Sequence, residues 1–169
     1  MASIRSIPLH AAVLYKCLMN SLSARHVDAL VLGSGIAGLN FALEFSERNP
    51  GAKILVATKS SQLNESATPW AQGGIAAVMN EGDEVSAHIE DTLKTGGGLS
   101  QEDSVNVVIT EGAERVRDLI RRGVNFTRRE DDHDQYDFTR EGGHSRRRIL
   151  HVADHTGSAI MDALIAQAK

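Results

Sequence analysis

Residues Gly33-Ser34-Gly35-Ile36-Ala37-Gly38 carry the spacing GxGxxG. Between a strand and a helix, each of these glycines has a mechanical task. The first makes the tight turn, the second admits a pyrophosphate against bare backbone, and the third lets the helix lie close to the strand. Backbone N–H groups without intrahelical partners and the positive end of the helix dipole then favour the phosphate charges. The chemistry implied is dinucleotide binding. One expected part is missing, because the general pattern wants Asp or Glu about twenty residues further on, where it accepts hydrogen bonds from ribose hydroxyls. Thr58-Lys59 stands there instead. A lysine donates to ribose or phosphate oxygens but cannot accept, which weakens a generic NAD dehydrogenase reading.

Other residues of chemical interest carry weaker signals. Glu141 precedes Gly142 and Gly143, which suggests close backbone approach, although a lone Glu at a hairpin end is by default a surface carboxylate. His144 and His151 read first as structural histidines. Arg146, Arg147 and Arg148 could neutralise a dicarboxylate, but solvation accounts for at least two of them, and one is free to pair internally. Asp131, Asp132, His133 and Asp134 are metal-ligand types, yet successive residues cannot all converge on one ion, so a solvated loop tip is expected and no metal site is assigned. Cys17 stands alone, which leaves no disulfide framework and no CxxC pair.

The elements that must position these residues follow from periodicity. Val27 to Gly33 and Lys53 to Thr58 are short apolar runs bounded by turn residues, as buried parallel strands are. Between them, Ile36 to Arg48 places Ile36, Leu39, Ala42, Leu43 and Phe45 near one helical face before Asn49-Pro50-Gly51 ends it. Together they form a right-handed βαβ unit. Residues 59–69 read as loop and 73–79 as a small-residue segment. Residues 85–95 and 104–122 read as helices, the second with a buried stripe of Val105, Val108, Ile109, Val116, Leu119 and Ile120. Short strands are expected around 124–127 and 136–138, with residues 129–135 as a hairpin tip, and another helix from 156. The fold class is α/β: an incomplete Rossmann-like domain with added helices and a short hairpin. A third parallel strand would have to lie beyond the last helix, which leaves an open sheet edge.

Composition narrows the partners. A net charge of −4 with both signs interspersed offers no broad basic face, so nucleic acid is a poor partner. No apolar stretch reaches the roughly 18–20 residues a membrane span needs, so no membrane partner is expected. Residues 1–26 form a leader without acidic residues, read as disordered or similar in composition to an organellar transit peptide; a start at Met19 is the alternative. Residues 27–169 form the domain. The unpaired cysteine fits a reducing cytoplasm, or a plastid if the leader is a transit peptide.

Three segments carry a family likeness: GSGIAG (33–38), WAQGGIAAV (70–78), and REGGHSRRRILHVAD (140–154) followed by Thr156-Gly157. Together they resemble the L-aspartate oxidase family, within the wider succinate dehydrogenase and fumarate reductase flavoprotein group, and the third is the most specific. The resemblance implies FAD as cofactor, with Lys59 on its adenosine side and Gly33, Ser34, Gly35, Ile36, Ala37 and Gly38 at the pyrophosphate. It places Ser66, Ala67, Thr68, Gln72, Gly73 and Gly74 around the flavin end, where added bulk at Gly73 or Gly74 should be harmful. Related respiratory flavoproteins carry a covalently linked His where this chain has Ala67, so FAD should be held noncovalently. Glu141 matches a residue that orients the substrate and meets its amino group, a sensible pairing of carboxylate with ammonium.

The implied reaction is oxidation of L-aspartate to iminoaspartate on the route through quinolinate to NAD, with oxygen or fumarate as electron acceptor and quinolinate synthase as a candidate partner. A complete member of the family has a substrate-capping domain, so the chain is expected to be an amino-terminal portion, inactive alone. The alternatives are a noncatalytic FAD-binding remnant, a fragment of a succinate dehydrogenase or fumarate reductase flavoprotein, and a small standalone nucleotide-binding module.

Overall fold

A computed structural model describes residues 26–168, together with the backbone of residues 5–6 and 11–15. The chain divides into two compact units, Met1–Ala71 with Gly157–Lys169, and Gln72–Thr156.

The first unit contains a four-stranded sheet in the order β1-β2-β4-β3. β1 (Arg5–Ser6) and β2 (Ala11–Tyr15) come from the leader, while β3 (Ala29–Leu32) and β4 (Ile54–Thr58) flank helix α1 (Ile36–Arg48). β3 and β4 are parallel in the register Ala29↔Ile54 to Leu32↔Ala57, which is the expected βαβ unit. Alternation decides what is inside: Val31, Ile54 and Val56 are buried with Ala42 of α1, and Ala29 and Phe45 pack against them. Leu39, Ala42 and Leu43 form the inward stripe of α1 at helical spacing. Asn49 ends the helix by donating its backbone N–H and its side-chain amide to the Phe45 carbonyl.

The leader adds to this sheet on the outer side of β4, where β2 runs parallel to β4 and β1 returns antiparallel to β2, while β3 remains an edge strand, as expected of an incomplete sheet. A parallel edge presents a row of unpaired N–H and C=O groups. The apolar run AAVLY at residues 11–15 satisfies that row along β4. The last helix, α4 (Thr156–Gln167), buries Ile160, Met161 and Leu164.

The second unit is built on helices α2 (Val85–Thr95) and α3 (Glu102–Arg121), which pack together. With them stands a two-stranded antiparallel sheet of β5 (Ile75–Ala76) and β6 (Ile149–Leu150). Ile109, Val116, Leu119, Val124, Phe126, Ile149 and Leu150 are buried. Two expectations change. Val108 is exposed, because its neighbour Ile109 lies about 100° further round the helix and takes the inward position. The segments 124–127 and 136–138 do not form continuous strands, only the isolated bridges Arg128↔Tyr136 and Thr139↔Ile149. Thr127 donates to the His151 carbonyl while its own carbonyl accepts from Asp137, so the pairing is shared among partners and no ladder builds up. The tip at 129–135 does close, through a hydrogen bond from the Arg129 N–H to the Gln135 carbonyl.

Candidate functional site

The glycine-rich turn has the geometry its spacing demands. Gly33 has φ +107°, in the left-handed region that favours glycine, and its N–H bonds the Ala57 carbonyl at 2.8 Å. A methyl group at Gly38 would run into the Gly33 carbonyl oxygen, so that glycine is fixed by helix–strand contact. Helix α1 starts at Ile36 with Gly35 as a cap that offers no side-chain bond. Its first N–H, on Ile36, donates to Thr68 Oγ1 at 3.2 Å. Thr68 is therefore bonded to the turn itself and helps to complete the helix start.

A cavity of about 460 Å³ opens beside this turn. Gly33, Ser34 and Gly35 line it with Thr58 and Lys59 at the end of β4 and Glu65 and Ser66 of the following loop. Ser34 is 2% exposed, and the buried hydroxyl oxygens of Ser34 and Ser66 have no hydrogen-bond partner. Buried polar atoms are normally satisfied. Two unpartnered hydroxyls beside a glycine turn and a helix N-terminus fit the oxygen-rich diphosphate of a dinucleotide. Of the expected cofactor contacts in this unit, Gly33, Ser34, Gly35, Lys59 and Ser66 share the cavity, Thr68 bonds the Ile36 N–H, and Ala37 and Ala67 are exposed.

Gln72, Gly73, Gly74 and Glu141 belong to the second unit. Gln72 is exposed, and the Gly73 carbonyl accepts a 2.6 Å bond from Thr156 Oγ1. A Cβ on Gly73 would stand 3.5 and 3.7 Å from the two carboxylate oxygens of Glu141, so the structure brings these residues together. A Cβ on Gly74 would collide with Ile149 Cγ2 and the Leu150 carbonyl. The need for glycine at 74 thus has a packing cause in the β5–β6 pair.

Glu141 opens a tight turn in which the His144 N–H returns to the Glu141 carbonyl at 3.2 Å, with Gly143 at φ +86°. This turn is anchored from below. Asp91 of α2 accepts from both the backbone N–H and the hydroxyl of Ser145, at 2.7 and 2.8 Å. It also accepts from Arg148 Nη1 at 2.6 Å. The Arg148 side chain, 0% exposed, grips Asp83 through both Nε and Nη2, at 2.8 and 2.7 Å. Arg148 Nη1 also lies 3.3 Å from His144 Nδ1.

The charges respond accordingly. Burial works to raise the Asp83 and Asp91 carboxyls, but the opposing interactions prevail and hold both below the usual carboxylate range. For Asp83 these are bonds and charge from Arg148; for Asp91, the Ser145 N–H and then Arg148. His88 of α2, whose ring centroid lies 5.4 Å from that of His144, has its proton affinity lowered by burial and then by the charges of Arg148 and His144.

Of the three adjacent arginines, Arg148 is the buried one, paired with two carboxylates, while Arg147 bonds the Phe138 carbonyl and lies 3.8 Å from Asp137, and Arg146 is exposed. His151 lies 3.4 Å from Asp137. The acidic loop is tied by Arg129 gripping Asp131 and by Arg128 bonding the carbonyls of His133 and Asp134. Among the described residues, no group of three or more His, Cys, Asp or Glu side chains could hold a metal ion, and no helix is long and apolar enough to cross a membrane. Sequence reasoning missed Asp83, Asp91 and Glu65. The first two lie 65 and 57 positions from Arg148, with no local pattern to link them to it.

A glycine turn after a parallel strand, unpartnered hydroxyls and a cavity at the strand ends define a dinucleotide-binding α/β domain. Residues 28–169 match the family described as FAD binding domain, and the chain belongs to that family, whose cofactor is FAD. It is 48% identical over 147 residues to an L-aspartate oxidase of Pseudomonas aeruginosa, an alignment covering 84% of this chain and 27% of that protein. It is 45% identical over 149 residues to the Vibrio cholerae L-aspartate oxidase (86% and 27%) and 46% identical over 141 residues to the chloroplastic L-aspartate oxidase 2-b of Nicotiana tabacum (83% and 21%). The chain spans about a quarter of the length of these curated relatives. Among solved structures, it superposes on the E. coli quinol fumarate reductase FrdA with a TM-score of 0.79 at 30% identity, covering 84% of this chain and 24% of that one. On Mycobacterium smegmatis Sdh1 the TM-score is 0.77 at 34% identity, with 86% and 24% covered.

Proposed function

We propose that this chain is the FAD-binding portion of an enzyme that oxidises L-aspartate to iminoaspartate, on the route through quinolinate to NAD. The observation that carries the reading is the placement of Glu141, whose carboxylate borders Gly73 on a turn locked from beneath by Asp91 and Arg148. A fixed anion at this position suits the ammonium of an amino acid, a group that a plain dicarboxylate lacks. Bound FAD supplies acceptance of two electrons with the substrate's Cα hydrogen. The chain's own residues hold it. Ser34, Ser66 and the Gly33–Gly38 amides take the pyrophosphate, Lys59 the adenosine side, and Ser66, Ala67, Thr68, Gln72, Gly73 and Gly74 the flavin end.

Ala67 offers no nucleophile, so the cofactor is held noncovalently. Oxygen or fumarate takes the electrons, and quinolinate synthase uses the product. Location is cytoplasmic, or plastidic if the leader is a transit peptide; similarity to chloroplastic relatives supports the second option. A succinate dehydrogenase or fumarate reductase flavoprotein is the second reading. It draws on the solved-structure likenesses, and Ala67 and the EGGHS run at 141–145 weigh against it.

The test is to mix the full chain with excess FAD, separate it by gel filtration and record flavin absorbance before and after denaturation. A yellow protein that releases all its flavin on denaturation is expected. A folded chain that elutes colourless overturns the flavoprotein reading, and flavin that stays with the denatured polypeptide overturns noncovalent binding.

A further inference from the structure

The strand that follows the glycine turn ends in Thr58-Lys59, which leaves no carboxylate at the usual place for a ribose diol. We propose that Glu65 supplies it: this side chain recognises the adenosine ribose hydroxyls of the dinucleotide, reaching the same cavity from the loop after the strand. The inference rests on the FAD reading above.

The loop is built to deliver that residue. The Ser60 N–H bonds Thr58 Oγ1 at 3.5 Å and the Gln62 N–H bonds Ser60 Oγ at 3.4 Å, turning the chain back immediately after β4. The Glu65 N–H then bonds the Gln62 carbonyl and the Ser66 N–H the Asn64 carbonyl, while Leu63 is buried as the anchor of the turn. Residues 65 and 66 thereby return to the cavity that Thr58 and Lys59 open, and Glu65 is the one carboxylate among its lining residues.

The chemistry divides cleanly. A ribose diol offers two O–H donors, and an ionised carboxylate is an acceptor with two oxygens. Lys59, a donor only, suits the phosphate and ring oxygens and offsets the negative charge that Glu65 brings near the diphosphate. Glu65 is exposed, so replacing it removes an acceptor without opening a core.

The experiment uses the full chain and measures FAD binding by quenching of flavin fluorescence, with ADP, 2′-deoxy-ADP and 3′-deoxy-ADP as competitors and FMN as the ligand lacking adenosine. Wild type should bind FAD and prefer ADP over both deoxy forms. Glu65→Ala should weaken FAD about 10- to 100-fold, the range of a charge-assisted hydrogen bond, abolish the preference for ADP, and leave FMN binding unchanged. Glu65→Gln, which keeps one acceptor oxygen, should fall between. Wild type that binds FAD but competes equally with ADP and its deoxy forms overturns the proposal, whether or not the variants fold. Glu65→Ala with unchanged FAD affinity overturns it too. Wild type that takes up neither FAD nor ADP overturns the flavoprotein reading together with this one.

Discussion

Single residues separate what was legible from what was not. The pattern at 33–38 was readable because each glycine answers a local constraint, and Gly38 meets the Gly33 carbonyl as the spacing requires. Gly73 and Gly74 look identical in sequence, and both were expected to resist bulk because of the flavin. In the structure only Gly74 is hemmed in, by Ile149 and Leu150, while Gly73 has ordinary contact distance to Glu141. Gly74→Ala should therefore cost about 1–3 kcal/mol, the usual range for overpacking, and Gly73→Ala should be close to neutral. Urea midpoints at constant slope check this, and equal midpoints for the two variants contradict it.

At the level of elements, α2, the turn at 141–145 and β6 are held to one another by Arg148, Asp91 and Asp83. Removing one partner of a buried ion pair leaves an uncompensated charge and typically costs about 3–5 kcal/mol. Arg148→Met should lose stability in that range, and Arg148→Lys should recover only part, because an ammonium cannot reproduce the planar fork. Chemical denaturation of both measures it; a loss in Arg148→Met no larger than in Arg147→Met speaks against the role assigned here. The helices and the βαβ unit were legible because their periodicity is local. The choice of Arg148 from three successive arginines was not, since its acidic partners come from distant segments. The 124–127 and 136–138 segments were misjudged for a related reason: Val124 and Phe126 are both buried, as alternate residues of a strand would be, but residue type says nothing about which carbonyls their neighbours will find.

For the whole molecule, the buried charges make stability depend on acidity in one direction. His88 is harder to protonate in the folded state than in the unfolded chain, because burial, then Arg148 and His144, oppose its charged form. Below the ordinary imidazole value of 6.5 the unfolded chain therefore binds more protons, and stability falls. Asp83 and Asp91 are held below the ordinary 3.8, so the stability they give is complete above that value and is lost as the pH drops further. Thermal melts from about pH 7.5 down to about pH 4 should show a falling midpoint that begins near the histidine range. A midpoint that is flat or that rises over this interval would count against the cluster as drawn.

The route of the backbone has a consequence of its own. The first unit is left at Ala71 and re-entered at Gly157, whose N–H bonds the Ala71 carbonyl at 2.9 Å, while Thr156 Oγ1 ties the far end of the second unit to Gly73 near its start. The second unit is thus an insertion whose exits are fastened side by side. Docking α4 in an unfolded chain means bringing together the ends of a long flexible loop, a penalty that grows logarithmically with its length. Once residues 72–156 have folded, that closure is already made, so the return of the helix to the first unit becomes a nearly local event.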